Sequence, residues 1–547
     1  MTYIRNLLRR SKEDFCSARA RRWLAGLKTD LCSRCFAGLL LIYLVGISAL
    51  LRADYLFLDD LGRAMTGMRG WGSGGRPLSD FLASLFYMSS RTFDASPLTQ
   101  LTATGILALV SLLLLKAVRV KLSWSTVLCV TPVGLSPYIL ENLSFKFDSP
   151  YMAAALLFAV LPPALTFLKK RSVIFLVSAL CLYCACALYH AALGAYVCIA
   201  TWLLLSDLSS RKPLRVALRR AGALALPFVA GVGAFTAVSG VLNSLSSFHS
   251  RIVNALAIPS LSDMPAVLAR NIRVYVEVLF HDWSPSCFGW LMAACFALFA
   301  SLTLMRLHRN RRKDGQRRGG EGGFAPIPRL AAVLLLTAFL PLSIFGLQFC
   351  MQNPPWWARY FQSFGFLPAL CLLGIRRTAT KGLRGKAVTA LCGLMTVQFV
   401  LFADVYGNLL ARQREWEFLH FAPLYADLRK LVRDGDCKTV TFKGSIGHTP
   451  LMRTPASKFP ILRRLVRVYA SEEYNGGYWS SKQLRIYGIT ADRVTENPPA
   501  STLRSVRTDN AAYTIGISPD KTAVVTFFPV EEIPPLPEIL RSDLERH

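Results

Sequence analysis

The feature that most limits what this chain can fold into is a succession of long apolar segments, separated by polar loops, from about residue 35 to about residue 404. A helix needs roughly 20 apolar residues to cross a bilayer, fewer when flanking side chains snorkel. By that criterion the chain holds about eleven spans. They lie at roughly 35–51, 97–115, 122–140, 151–168, 221–242, 288–305, 330–348, 360–375 and 387–403, with two more inside the apolar run 172–208. That run is too long for one span and turns near Tyr189-His190. Hydrophobic residues make up 53% of the chain and charged residues 18%, below the roughly one quarter usual for soluble proteins. A length of 547 residues would otherwise allow three or four soluble domains, which the apolar segments overrule.

The net charge of +30 would be compatible with nucleic-acid binding if it were spread over one soluble face. It is not. Loops that fall on one side of the spans carry 33 basic and 6 acidic residues, and those on the other side 10 and 10. The stretch from Asp404 onward carries 20 and 17. The imbalance is the positive-inside pattern of a multi-pass protein of the bacterial inner membrane. It places the amino terminus in the cytoplasm, the tail in the periplasm, and nucleic acid outside the partners. Residues 1–34, with nine basic and three acidic side chains and no small-residue cleavage site after the first apolar run, read as a cytoplasmic segment before an uncleaved signal anchor.

The fold class expected is mainly α: a polytopic helical membrane bundle over 35–404, with a small α/β extracytoplasmic domain over 405–547. In that tail a helix-like stretch, REWEFLHFAPLYADLRKLVR, precedes strand-like runs KTVTFKG, AAYTIGIS and TAVVTFFPV. Of the fourteen cysteines most lie in apolar segments, and Cys181, Cys184 and Cys186 read as small hydrophobes rather than a redox pair. Cys287 and Cys350 fall in outer loops, within reach of a pairing that nothing in the pattern demands.

Chemistry points to the first outer loop, residues 52–96. Its run LFLDDLGRAMTGMRGWGSGGRPLSD sets Asp59 and Asp60 side by side with Arg63, Arg69 and Arg76 at a membrane surface. Charge gathered at the end of an apolar helix is a functional candidate, and the alternative is a solvated loop capping a helix. One of two adjacent carboxylates has its pKa raised by the other, so such a pair can divide roles. Arg63 sits one helical turn on, as a phosphate contact or as an intrahelical ion pair. Arg76 follows a Gly-Gly pair that permits close approach to a phosphate. An amphipathic piece between Pro77 and Met88, too short and polar to span, is placed flat on the outer membrane surface. After the third span, SFKFDSP sets Lys146 and Asp148 between aromatic neighbours, as phosphate and sugar contacts or as snorkelling side chains in the aromatic belt. Trp356, Trp357, Arg359 and Tyr360 offer ring faces for sugar stacking and a guanidinium for a phosphate, or interface anchors. His190 and the pair His281-Asp282 read as hydrogen-bonded structural residues, and no cluster has zinc-ligand spacing.

The ordered combination of the acidic pair, GW and GRPL in the first outer loop and the KFDS turn resembles the Gtr-type (type II) O-antigen glucosyltransferases, serotype-modifying membrane enzymes of the GT-C class. The resemblance covers the membrane domain to about residue 404, and the tail carries no matching motif. It implies a glucosyl donor linked to undecaprenyl phosphate, a lipid-linked O-antigen or other envelope glycan as acceptor, and inverting transfer on the periplasmic face. It also implies a base early in the first outer loop, Asp59 with Asp60 close behind. No cofactor is required, and a divalent cation on Asp59 or Asp60 is compatible with the class. The competing readings are transfer of another polyprenyl-linked sugar to lipid A or protein, and transport of a lipid-linked sugar. A transporter is expected to carry charges within its spans and internal repeats. Here the charges gather at outer ends and no repeat is visible.

Overall fold

The computed structural model describes residues 30–165, 168, 170–210, 212–245, 258–317, 327–379, 382–472, 476–494, 497–506 and 511–529. The basic segment up to residue 29, the linker 318–326 and the last residues from 530 lie outside them.

Helix α1 (Asp30–Ala53) buries Leu39, Tyr43, Ile47 and Leu50, a stripe at helical spacing, and Tyr43 bonds the Ser111 hydroxyl at 2.7 Å. The first outer loop then forms α2 (Asp59–Thr66) and α3 (Pro77–Tyr87) before the chain returns through α4 (Leu98–Ala117). The expected third span is three short helices: α5 (Trp124–Val130), α6 (Pro132–Leu135) and α7 (Pro137–Ser144). Pro132 and Pro137 each start a new helix, because proline has no N–H to give to the turn before it. Next come α8 (Ser149–Ala164), α9 (Arg171–Tyr189) and α10 (Leu193–Leu208), with a 3₁₀ turn at His190–Ala192 dividing the long apolar run where a reversal was expected. The bundle continues through α11 (Leu214–Leu245), α12 (Met264–Trp283), α13 (Cys287–Arg317), α14 (Ile327–Leu342) and α15 (Phe366–Thr378) to α16 (Gly382–Arg433). Each expected span has a helical counterpart. Among the described residues seven apolar stretches are long enough to cross a membrane, fewer than the roughly eleven spans expected, while Trp124–Leu135, Ser149–Ala164 and Pro328–Leu342 are shorter. Cys287 and Cys350 are both free thiols.

Helix α16 does not stop at the membrane edge. It continues through the helix-like REWEFLHF stretch into a five-stranded sheet of order β2-β1-β5-β4-β3. Its strands are β1 (Thr439–Gly444), β2 (Asp492–Arg493), β3 (Arg504–Val506), β4 (Tyr513–Ile517) and β5 (Thr522–Phe527). The three strands expected from sequence are β1, β4 and β5; β1 runs parallel to β5, and β4 antiparallel to it. Between α16 and the sheet's far side, residues 452–469 turn back: Met452, Ile461, Leu465 and Tyr469 are buried in the core of the membrane bundle, apart from the sheet's own core.

The two ends of the bundle differ chemically. At one end Arg377 donates to the Val118 carbonyl, Arg376 to Ser125, Arg329 to the Leu208 carbonyl and Asn310 to the Ser209 carbonyl. These bonds gather the basic loops. The other end holds the first outer loop, the 145–148 turn, the 190–192 turn, residues 343–360 and the tail.

The contact of α1 with α16 is built on a small residue. A Cβ at Gly407 would stand 2.3 Å from the Leu50 nitrogen, whereas one at Gly393 of the same helix would meet nothing within 4 Å. We therefore expect Gly407→Ala to lower the thermal midpoint of the detergent-solubilised protein sharply. Gly393→Ala should leave it unchanged or raise it, since alanine is favoured over glycine inside a helix by roughly 0.5–1 kcal/mol. Equal midpoints for the two variants would disprove this packing.

Candidate functional site

The acidic pair is divided by geometry. Leu58 takes a left-handed conformation (φ 49°), a costly one for a bulky residue. Its N–H is held by the Tyr469 hydroxyl at 2.7 Å. Helix α2 then starts with Asp59 and Asp60 in its first turn, where the helix dipole favours anions. Asp60 turns inward and is fully buried. It accepts the backbone N–H groups of Phe57 (3.2 Å), Lys146 (2.8 Å) and Phe147 (3.4 Å). Burial, and then the nearby Asp148 carboxylate, push its carboxyl well above the ordinary range, against the pull of those N–H groups and of Arg63. Asp59 turns the other way, and its side chain keeps 40% exposure.

Asp148, the residue before α8, is the centre of a buried ion cluster. Arg63 approaches it at 2.8 Å and Arg76 at 3.1 Å. Burial raises the Asp148 carboxyl, but the two guanidinium groups more than offset this and hold it below its usual value. Arg63 also lies 3.7 Å from Asp59 and stacks over Trp71 at 4.6 Å. Of the two readings of Arg63 the geometry contains the intrahelical pair with Asp59, and it adds a tie to the turn after α7 that the sequence did not suggest; Arg63 does not line the cavity beside this cluster. Arg69 binds Ser84 of α3, fastening the loop to that helix, whose Phe81, Leu85 and Phe86 remain exposed.

Beside this cluster a cavity of about 100 Å³ is lined by Asp59, Arg76, Asp148, Tyr189, His190, Arg359 and Tyr360, with Met351 and Pro355. Two breaks in the helical bundle make its far wall. The 3₁₀ turn at 190–192 faces the 3₁₀ stretch Ala358–Gly365, with Tyr360 at 5.7 Å from Tyr189 and 5.8 Å from His190, ring to ring. Glycine allows the approach: a Cβ at Gly194 would lie 1.9 Å from the Ile344 carbonyl oxygen, and Gly346 opposite has φ 59°.

Arg359 is held by rings rather than by acids. Its guanidinium lies 4.3 Å from Trp357 and 5.2 Å from Phe145. Among the described residues no carboxylate comes within 4 Å of it. Stacked arginine in a cavity is a ready receptor for a bidentate anion such as phosphate.

The remaining expected residues stand back from the cavity. Lys146 is buried and pairs with Asp54 and, at 3.2 Å, with Asp94, closing the first outer loop on itself. Trp356 stacks on Phe345 at 4.8 Å, and Trp357 carries Arg359 on its ring. Neither Trp356 nor Trp357 borders the cavity. Among the described residues no three His, Cys, Asp or Glu side chains gather as a metal cage. A cation here would have Asp59 as its accessible protein ligand, because Asp60 and Asp148 are taken by N–H and guanidinium donors.

Sequence reasoning set His190 aside, yet it lines the cavity, and its Nε2 is buried without a hydrogen-bond partner among the described residues. The available signal was a polar residue at a chain reversal. It also passed over ILRRLVRVY in the tail. There Arg467 lies 4.9 Å from the Trp357 ring and pairs with buried Glu141 at 3.3 Å. Arg464 binds Asp282, which also accepts from the Tyr138 hydroxyl at 2.8 Å. No periodicity marks these residues, whose partners are far away in the chain.

A protein of Salmonella phage P22, described as an uncharacterized 55.3 kDa protein in the gtrB 5′ region, is 28% identical over 225 residues. The match covers 40% of this chain and 45% of that protein, so the chain spans less than half the length of this relative. No solved structure matches the chain. The family model described as glucosyl transferase GtrII matches residues 48–370, a stretch that holds every residue lining the cavity. The match extends over more than half of the sequence, and the chain belongs to the GtrII glucosyl transferase family.

Proposed function

We propose that this protein moves glucose, or a related sugar, from a polyprenyl phosphate such as undecaprenyl phosphate to O-antigen or another envelope glycan, in the cavity at the non-basic end of the bundle. The observation that carries the proposal is the pairing, in one cavity, of a partly exposed carboxylate on Asp59 with an Arg359 guanidinium that has no carboxylate partner among the described residues. Membership of a glucosyl transferase family supports the reaction class. The basic loops at the opposite end support a periplasmic cavity, a cytoplasmic amino terminus and a periplasmic tail.

In this mechanism the donor's phosphate lies against Arg359 and Arg76, with its sugar in the cavity against the wall that Tyr189 and Tyr360 form. The acceptor hydroxyl attacks the anomeric carbon from the face opposite the phosphate. As the new C–O bond forms, the bond from the anomeric carbon to the phosphate oxygen breaks, and the polyprenyl phosphate leaves with the electron pair. Asp59 takes the hydroxyl proton. The guanidinium groups stabilise the charge that grows on the leaving phosphate. Configuration at the anomeric carbon is inverted. No cofactor supplies any of these steps, and a divalent cation on Asp59 would add to the charge stabilisation.

The acidic pair separates chemistry from structure. Asp59→Asn should reduce sugar transfer by membranes about 10² to 10⁴-fold at unchanged protein amount. Asp60→Asn should instead reduce the amount of folded protein, because an amide leaves buried N–H groups short of an acceptor at a cost of about 1–3 kcal/mol. Its transfer per folded molecule should stay within a few-fold of the parent. Normal transfer by Asp59→Asn at matched amounts would remove Asp59 from the mechanism.

For the donor site, Arg359→Lys keeps a charge and loses the planar fork, while Arg359→Ala loses both. The apparent affinity for polyprenyl-phosphate sugar should fall in the order parent, lysine, alanine. Parent-like titrations in both variants would show that the ring-held guanidinium does not touch the donor.

Orientation is tested by reporter fusion. A reporter active only in the periplasm should be active when fused after Arg412 and silent after Arg312. The reverse pair of results would put the cavity in the cytoplasm and end the proposal.

A further inference from the structure

The basic end of the bundle holds a second cleft, which the transfer reaction does not use. It lies where α10, α13 and α15 come together, and its walls include Trp202, Ser206, Ser209, Thr303, Arg306 and Arg377. Among the described residues no carboxylate lines it. The Arg377 guanidinium is 4.3 Å from the Trp202 ring and donates to the Ser206 hydroxyl at 3.1 Å and to the Val118 carbonyl. Its plane is thereby fixed, and N–H donors remain over from these bonds. Arg306, on α13, is exposed, and among the described residues no carboxylate lies within 4 Å of it. The acid on the adjoining turn of α10 is not available to either arginine: Asp207 is buried, with Lys212 on one oxygen at 2.5 Å and Arg220 on the other at 2.6 Å.

Two guanidinium groups thus share a cleft with the hydroxyls of Ser206, Ser209, Thr303 and Thr378, and among the described residues no carboxylate in the cleft balances their charge. Such a site is complementary to a phosphate group. The other walls, Leu205, Phe299 and Leu302, are apolar, and Leu298 and Met305 on the same helix as Arg306 are exposed. A ligand with a phosphate at one end and acyl chains at the other satisfies both surfaces, as in basic pockets between membrane helices that hold anionic lipid. We propose that this cleft binds the phosphate of an anionic phospholipid headgroup, seated between Arg306 and Arg377 with its acyl chains along α13. This site is independent of the transfer reaction and lies at the opposite end of the bundle from it.

The test is thermal unfolding of the full-length protein in detergent, titrated separately with phosphatidylglycerol, phosphatidylcholine and inorganic phosphate. Phosphatidylglycerol should raise the midpoint of the parent protein at concentrations where phosphatidylcholine does not. Arg306→Gln should shift the phosphatidylglycerol titration about tenfold to higher concentration, the loss of one charge-assisted contact. Its lipid-free midpoint should equal the parent's, because the replaced side chain is exposed. Arg377→Lys, which keeps the charge, should weaken the response less than Arg377→Gln does. Equal responses of the parent to the two phospholipids would overturn the proposal, as would a parent-like phosphatidylglycerol titration for Arg306→Gln. A full shift with inorganic phosphate alone would assign the cleft to a free anion and overturn the lipid.

Discussion

Two buried carboxyl groups hold the non-basic end of this molecule together. Asp60 reaches from the first outer loop to the backbone of Lys146 and Phe147, and Asp148 reaches back to Arg63 and Arg76. Each loop therefore supplies a carboxyl group that the other satisfies. Apolar contacts join the same two loops, with Phe57 against Phe145 at 4.9 Å between ring centres. Buried charge of this kind is weak as a source of net stability, because desolvation offsets much of the attraction. Its value is geometric: a buried carboxylate tolerates few arrangements, and this one sets the wall of the cavity.

From that lock the division of labour follows. Asp60 and Asp148 are consumed in holding the loops, Arg63 is committed to Asp148, and Lys146 is committed to Asp54 and Asp94. Asp59 is left facing the cavity with part of its side chain exposed. On the far wall Arg359 is fixed by ring faces that orient a cation without neutralising it. A cavity that kept every charge paired would be inert toward an anionic ligand.

The tail belongs to this arrangement. Helix α16 carries the chain from the bundle into the sheet without a break, and the returning segment places Tyr469 under Leu58 and Arg467 on the Trp357 ring. The same tryptophan thus carries one arginine from the tail and one from the cavity wall. The tail thus meets the cavity wall at a shared ring, although the sheet itself has a separate core.

Periodicity and charge settled much of this protein in advance. Apolar runs located the helices, because a bilayer leaves the backbone few other ways to satisfy its hydrogen bonds. Gly, Pro and alternation located the main strands of the tail. The acidic pair, Arg76, Asp148, Arg359 and Tyr360 were legible as candidates because charge at the end of an apolar segment is costly and local to the sequence. What only the tertiary structure decided was which of them meet. Adjacent Asp59 and Asp60 look equivalent in sequence, yet one helical step turns the first into a cavity and the second into a buried set of N–H groups. Lys146 and Asp148 look alike in placement, and their partners separate them. Glu141, Arg464 and Arg467 gave no pattern to read, since their partners are neighbours that the chain brings near only after it folds. Spacing along the sequence records helix faces. It does not record the long-range pairing of charges, and that pairing is what made the site.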